Sequence, residues 1–441
     1  MTSLNESQLQ ERISRTWDES IVPSLVEYIK IPNKSPSFEP AWQELGHMEQ
    51  ALQLALEWSK SNLPEKAQIQ VKRSAGRTPL LLIDLPGERN GNVLMYGHLD
   101  KQPEMEGWDD DLGPWKPVLK DNKLYGRGGA DDGYALFASL TVVNALMEQK
   151  VALPRILILI EFSEESGSPD LPHYMDLCAD LIGGTLRVDV LKQGIHSGSS
   201  SGHVLSSFRI ARQLLSRLED ENTGEMLLDE LNITIPEYRV EETRKMIGIL
   251  GEQVVEEFPW INDMRPSTAD PLEGVLRRTW KPALSIVGAE GLPPASNAGN
   301  VLRPFTSLKF SIRIPPMVDP TKAGKAIERV LTQNQSYGAK ISLELNEAAA
   351  GWNAPKTADW LNDSMQKASE TFFQQPACSI SEGGTIPFMA MLGNKFPETQ
   401  FMITGVLGPG SNAHGPNEFL HIPYGKKLTA CVAGILRDFP G

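Results

Sequence analysis

The stretch RILILIEFSEESG (residues 155–167) decides the fold. Its first eight residues, 155–162, form a nearly unbroken apolar run of strand length, which suits a strand covered on both faces. The run stops at Ser163, and two adjacent glutamates, Glu164 and Glu165, follow at the carboxyl end of the strand. Neighbouring carboxylates repel each other, so a positive partner is expected to offset them. Taken alone, such an acidic turn would be a plain solvated loop about as often as a site.

Upstream, residues 132–149 place Ala135, Leu136, Leu140, Val143 and Leu146 on one helical face, and strand-length apolar runs precede them at 92–96 and 79–84. Two segments with apolar residues at helical spacing, 6–31 and 41–59, open the chain. Strands alternating with helices predict an α/β fold whose catalytic domain has a mostly parallel central sheet flanked by helices. His98, Asp131 and Glu164 then fall at or just past the carboxyl ends of strands, or in the loop that starts a helix. Open α/β sheets hold their ligands at that edge.

The pattern changes after Gly183. Alternating strands at 185–191, 307–314 and 340–345, with helices at 204–218 and 320–333, predict a small antiparallel sheet with helices on one face. This is an inserted α+β (ferredoxin-like) domain. Residues 220–295, rich in Glu, Pro and Trp, read as an insertion within it, and helix and strand patterns resume at 358–373 and 400–405. The expected organisation is one domain in two pieces, 1–182 and 351–441, interrupted by 183–350.

Four short motifs carry the chemistry: Gly97-His98-Leu99-Asp100, Gly128-Gly129-Ala130-Asp131-Asp132-Gly133, Glu164-Glu165-Ser166-Gly167 and Asn412-Ala413-His414-Gly415. Imidazole nitrogens and carboxylate oxygens are the donors that zinc-like cations take. His98 would bind metal while Asp100 fixes its tautomer through the other ring nitrogen. Asp131 has two oxygens and can bridge two cations, whereas Asp132 suits the cap of the following helix. Of the two glutamates, one would bind metal and the other carry a proton. His414 stands in a loop of small residues that is not simple core. Each motif is weak alone, and four in this order point to a metal-dependent hydrolase. His47, His173, His203 and His421 fit no motif and read as surface or structural histidines.

Composition narrows the partners. A net charge of −14, from 56 acidic and 42 basic residues in 441, argues against nucleic acid, whose phosphates need a basic footprint. The longest aliphatic run, residues 156–160, is far too short for a membrane span. The polar start MTSLNESQLQ lacks the basic-then-apolar order of a secretory signal. Cys178, Cys378 and Cys431 are widely spaced and form neither a CxxC pair nor a disulfide framework. A cytoplasmic protein without membrane association is expected. Gly198-Ser199-Ser200-Ser201-Gly202 nearly meets the Gly-x-Ser-x-Gly pattern of serine hydrolases, but no strand-turn-helix elbow frames it.

With YGHLDKQP, GRGGADDG, EFSEESGS, GIHSGSSSG, SEGGTIP and SNAHGPNE in place, the chain resembles the M20 family of metallopeptidases nearly end to end. Within it, the branch of cytosolic dipeptidases related to carnosinases is the most similar. The resemblance implies His98, Asp131, Glu165 and His414 as ligands of two divalent ions, zinc first, with manganese or cobalt as alternatives. It makes Asp131 the bridge, Glu164 the general base and Asp100 the residue orienting His98, and it implies a cis peptide between Asp131 and Asp132.

The inserted domain resembles a lid that also forms the interface of a homodimer. His196 would reach the neighbouring subunit's site to stabilise an oxyanion. Arg313 would grip a substrate carboxylate, with Gly384, Thr385 and, by a looser match, Asn300 as further substrate contacts. The activity implied is that of an exopeptidase on dipeptides or on the C-terminal residues of small peptides. N-acyl amino acid deacylation on the same scaffold is the alternative. In one respect the chain departs from the family pattern: the strand bearing the second metal's Asp is missing near Asp180 and Leu181. If that ligand is truly absent, a single-metal or catalytically silent site follows.

Overall fold

The computed structural model describes residues 4–171, 181–251, 254, 258, 260–334, 336–345, 352–380, 389, 392–393 and 395–440. The chain divides into two units, Met1–Leu177 with Pro355–Ala377 and Glu398–Gly441, and Cys178–Ala354 with Cys378–Pro397.

A helical run opens the first unit. Helix α1 (Glu6–Thr16) is capped by Asn5, whose side chain accepts from the Gln8 amide, and the run continues through Trp17–Ile21 into α2 (Val22–Ile29). The single helix expected over 41–59 is broken at Gly46, whose φ of 71° glycine adopts without steric cost, and α3 (His47–Ser61) starts there. Strands β1 (Gln68–Lys72), β2 (Leu80–Leu85), β3 (Asn92–His98), β4 (Val118–Lys120) and β5 (Lys123–Tyr125) precede α4 (Tyr134–Glu148) and β6 (Arg155–Glu161).

The main sheet has the order β1-β2-β6-β3. Strands β3 and β6 are parallel, running in register from Asn92 beside Arg155 to His98 beside Glu161, with α4 as their crossover. The α/β class holds, but the four strands described form a mixed sheet, since β1–β2 and β2–β6 are antiparallel. The reason lies in β1. Its exposed Gln68, Gln70 and Lys72 alternate with half-buried Ile69 and Val71, as at a sheet edge. The loop joining it to β2 is too short for a crossover, so only antiparallel pairing is open to it.

Burial of β6 and α4 organises the core. Ile156, Ile158 and Ile160 lie among Leu136, Phe137, Leu140, Val143 and Leu146, all buried. Each such aliphatic or aromatic side chain contributes roughly 1.5–3 kcal/mol on leaving water. Strand β3 passes so close beneath the start of α4 that a Cβ on Gly97 would stand 2.6 Å from Ala135 Cβ and 2.8 Å from Asp132 Oδ2. Glycine before His98 is therefore what lets the strand end and the helix start approach each other.

The second unit comprises β7 (Leu181–Asp189), β8 (Ile195–His196), α5 (Ser207–Leu215), α6 (Glu237–Leu250), α7 (Pro271–Trp280), β9 (Ala283–Glu290), β10 (Val301–Leu302), β11 (Phe305–Arg313), α8 (Pro320–Thr332) and β12 (Lys340–Leu345). Its antiparallel sheet has the order β12-β7-β11-β9. Leu186, Val188, Phe310 and Ile312 of the sheet pack with Ile210 and Leu214 of α5 and Ile327 and Leu331 of α8. Within 220–295, read as a plain insertion, β9 instead extends the sheet and forms its edge.

The chain then re-enters the first unit as α9 (Asp359–Phe372), β13 (Phe419–His421) and α10 (Ile422–Asp438). Strand β13 pairs with β5, which pairs with β4. Helix α10 packs on α9, α4 and α1, and Trp17 Nε1 donates to Thr429 Oγ1 at 3.0 Å. Residues 400–405, expected as a strand, form none; Ile403 there is 56% exposed and has no sheet to cover. No helix among the described residues is long and apolar enough to cross a membrane.

Candidate metal centre

Strands β3 and β6 end side by side on His98 and Glu161, so the residues after each emerge at one sheet edge. After β6 the chain turns through Glu164–Ser166, and fully buried Asp100 holds that turn. Its Oδ1 accepts from the Glu164 amide at 3.1 Å and its Oδ2 from the Glu165 amide at 3.0 Å. Asp100 Oδ1 also faces His98 Nδ1 at 3.4 Å, an ion-pair contact too long for a good hydrogen bond. Sequence reasoning assigned Asp100 to His98 alone and missed its grip on the glutamate turn.

The glycine-rich loop before α4 brings Asp131 to the same edge, with a cis peptide between Asp131 and Asp132. His98 Nε2 lies 3.2 Å from Asp131 Oδ1, and His414 Nε2 lies 3.1 Å from Asp131 Oδ2 and 3.2 Å from Glu165 Oε2. The two oxygens of Asp131 thus serve two different imidazoles. Glu164 Oε2 is 3.8 Å from His98 Nε2. Among the described residues, His98, Asp131 and Glu165 each offer a donor atom, all within 4.8 Å of one another. His414 has a φ of 63°, an uncommon left-handed conformation for a residue with a side chain, in a turn closed by the Gly415 amide donating to Asn412 O at 3.0 Å.

Two further residues escaped sequence reasoning. Gln102 Nε2 donates to Glu165 Oε2 at 2.6 Å and so orients that carboxylate. Glu161 lies behind the turn, accepting from the Tyr96 hydroxyl and, at 2.9 Å, from Ser168 Oγ. Gln102 stands within the HLDKQP motif, which was its one visible trace.

The electrostatics follow from crowding acids around two imidazoles. Burial opposes charge on His98, yet Asp100, Asp131 and Glu164 outweigh it and hold its pKa well above the ordinary value. Hydrogen bonds to Asp131 and Glu165 push His414 up to about 10. Burial alone would raise Asp131, but the two imidazoles hold it well below the usual carboxylate range. Glu164 is raised to about 7, first by burial and then by repulsion from Glu165, Asp100 and Asp131, against the pull of His98. Burial raises Asp132 to about 8 and Glu161 to about 7.

Two imidazoles and two carboxylates converging amid surplus acid are a fitting donor set for a divalent metal, which would take over the charge compensation now supplied by imidazole protons. The sign of the pH dependence is fixed by this exchange. A ligand histidine must be neutral, and His414 keeps its proton up to about 10, so at lower pH metal binding expels a proton. Zinc affinity is expected to rise about tenfold per pH unit for each proton expelled. Chelator competition at pH 6, 7 and 8 reads this slope, and a flat profile contradicts it.

Of the other site residues expected from sequence, His196, Asn300 and Arg313 belong to the second unit. His196 is exposed, its Nδ1 accepts from the Gly198 amide at 3.1 Å, and β8 pairs it with Val301. Asn300 adjoins it, the Asn300 carbonyl accepting from the Ser197 amide at 2.9 Å. Arg313 is the exposed last residue of β11. Gly384 and Thr385 lie outside the described residues, as do residues 172–180, next to which the missing strand was expected. His421 Nδ1 accepts from the Tyr424 amide at 3.2 Å and caps α10, an ordinary structural role.

The chain is similar to several known proteins. Over 376 residues the chain is 28% identical to the Cys-Gly metallodipeptidase of Saccharomyces cerevisiae, covering 75% of each chain. It is 25% identical over 379 residues to the Beta-Ala-His dipeptidase of Mus musculus, covering 77% of this chain and 75% of that one. Human carnosine dipeptidase 1 shares the fold with a TM-score of 0.75 at 20% identity, 99% of both chains being covered. Residues 94–438 match peptidase family M20/M25/M40. Since that match begins within β3 and ends with α10, it takes in every donor at the centre, and the chain belongs to peptidase family M20/M25/M40 as a hydrolase.

Proposed function

We propose that the protein is a metal-dependent exopeptidase that hydrolyses dipeptides or removes C-terminal residues from small peptides. The observation that carries this reading is the division of Asp131 between His98 and His414, with Glu165 beside the latter. It supports two divalent ions sharing Asp131, zinc first because zinc takes nitrogen and carboxylate donors, with manganese or cobalt as alternatives. Such ions, when bound, polarise a carbonyl and bring the pKa of water to about 7.

The chain's own residues supply the remaining steps. Glu164 takes a proton from the attacking water at a carboxylate oxygen and passes it to the leaving amine, a task suited to a group poised near neutrality. His196 donates from Nε2 to the developing oxyanion. Its Nδ1 is occupied as an acceptor, which supports a neutral ring protonated at Nε2. On this reading it serves the neighbouring subunit's site. Arg313 forks onto the terminal carboxylate, with Gly384, Thr385 and Asn300 as further contacts, which confines cleavage to a chain end.

Residues 183–350, which fall in sequence between 1–182 and 351–441, serve on this reading as lid and as homodimer interface. The edge strand β9, with Ile286 45% and Val287 58% exposed, supports pairing with a second copy in a homodimer. The scattered cysteines support a cytoplasmic setting. Relatives named as Cys-Gly and Beta-Ala-His dipeptidases support the substrate class.

Zinc-loaded protein is expected to hydrolyse Cys-Gly and related dipeptides, and EDTA to stop it. A panel that includes acetyl- and succinyl-amino acids decides the substrate. Preference for the acylated compounds would replace the peptidase with a deacylase, and metal-free protein without turnover on either would sink both.

A further inference from the structure

Among its described residues, the first unit buries an ion pair that the chemistry above leaves unused. Arg127 and Glu418, 291 residues apart, are 1% and 0% exposed, and Arg127 Nη1 donates to Glu418 Oε2 at 2.6 Å. Their remaining polar atoms are taken up by backbone. Arg127 Nη2 donates to Gly415 O at 2.8 Å and Nε to Pro103 O at 3.2 Å. Glu418 Oε1 accepts from the Gly128 amide at 3.0 Å, and the Glu418 carbonyl accepts from the Gly126 amide at 3.0 Å.

Three stretches of chain are therefore pinned to one pair. The first leaves the end of β3 at His98 and carries Asp100 and Gln102, the second is the glycine-rich loop with Asp131, and the third is the turn with His414. Stability alone is a weak reason for such a pair, because desolvating two charges offsets their attraction and apolar residues of similar volume often serve as well. What apolar residues cannot do is hold several backbone groups in fixed directions at once.

We propose that Arg127 and Glu418 form a positioning clamp for the metal centre, setting the His414 turn against the Asp131 loop and so controlling metal affinity. The proposal rests on the metal-centre reading above. Among the described contacts, Arg127 and Glu418 are hydrogen-bonded to each other and to backbone rather than to donor side chains. They act through the loops they hold.

The test measures zinc affinity by competition with a chromophoric chelator. It compares the wild type, Glu418→Gln, Arg127→Lys, His414→Ala and the double variant of Glu418→Gln with His414→Ala, each checked by circular dichroism and cooperative melting. The two clamp variants are expected to bind zinc about 10–100-fold more weakly, the loss typical when a partner of a ligand is removed. In the His414→Ala background, Glu418→Gln is expected to cost less than it does alone, because much of its effect runs through His414.

Unchanged affinity in the folded single variants overturns the clamp. So do fully additive losses, since a pair that merely stabilises the fold would weaken every background alike. If Glu418→Gln does not fold, Arg127→Lys decides the same question, because it keeps the charge but loses the fork to Gly415 O. Wild type without zinc affinity sinks the metal-centre reading and the clamp with it, whereas a zinc-binding wild type with unaffected variants sinks the clamp alone.

Discussion

Glu164→Gln should lower kcat/KM by about 10²–10⁴-fold, the range a positioned general base contributes, while leaving metal content and melting unchanged. The separation of effects follows from how the turn is built. Asp100 holds the backbone amides of Glu164 and Glu165, so the turn does not depend on the Glu164 side chain. That side chain stands 3.8 Å from His98 Nε2, outside the closer set formed by Asp131, Glu165 and His414. Gln keeps the size and loses the proton acceptor. The same group sets the acid limb of the rate profile. Its carboxyl, raised to about 7 before a cation binds, accepts a proton only when ionised, and a bound cation brings it back down, so activity falls on acidification at or below pH 7. Retained turnover in Glu164→Gln, measured on protein of verified metal content, would remove it as the base.

Asp131→Ala is expected to act on metal rather than on a proton. One carboxylate serves both imidazoles, so its removal takes a donor from each position at once and leaves His98 and His414 without the acid that faces both. Elemental analysis should show metal falling to background, and activity with it, a loss larger than the roughly 10–100-fold typical of outer-shell changes. The fold should survive, since Asp131 sits at a loop and its oxygens contact the two histidines rather than the core. Native circular dichroism with undiminished metal would contradict the bridging role.

Local patterns were legible where burial is decided by neighbours within one element. Strand β12 lies at 340–345 in both readings, and β6 with its glutamate pair and α4 stand where their apolar spacing puts them. The hairpin β4–β5, β9 and β13 were not legible. They are short or half-exposed, and β13 finds its partner far back in the chain, Phe419 beside Tyr125. Strand direction was misjudged for the same reason, because β1 shows only an edge alternation and its pairing follows from a loop length. At the centre, residue types announce donors, and the structure brings His98, Asp131, Glu164, Glu165 and His414 together. Asp100 on two backbone amides, Gln102 on Glu165 and Arg127 on Glu418 leave no local mark, since each depends on a partner distant in sequence. The HLDKQP motif around Gln102, an arginine amid glycines and a glutamate shortly after His414 were the traces.

The 291 residues between Arg127 and Glu418 also impose an order on biosynthesis. At translation rates of about 5–20 residues per second, the guanidinium waits roughly 15–60 s for its counter-ion to leave the ribosome. Throughout that interval a nascent chain carries the end of β3 with His98 and the Asp131 loop with no His414 turn beside them. On the proposed metal reading, the His414 donor joins the set only once this late-emerging segment has docked.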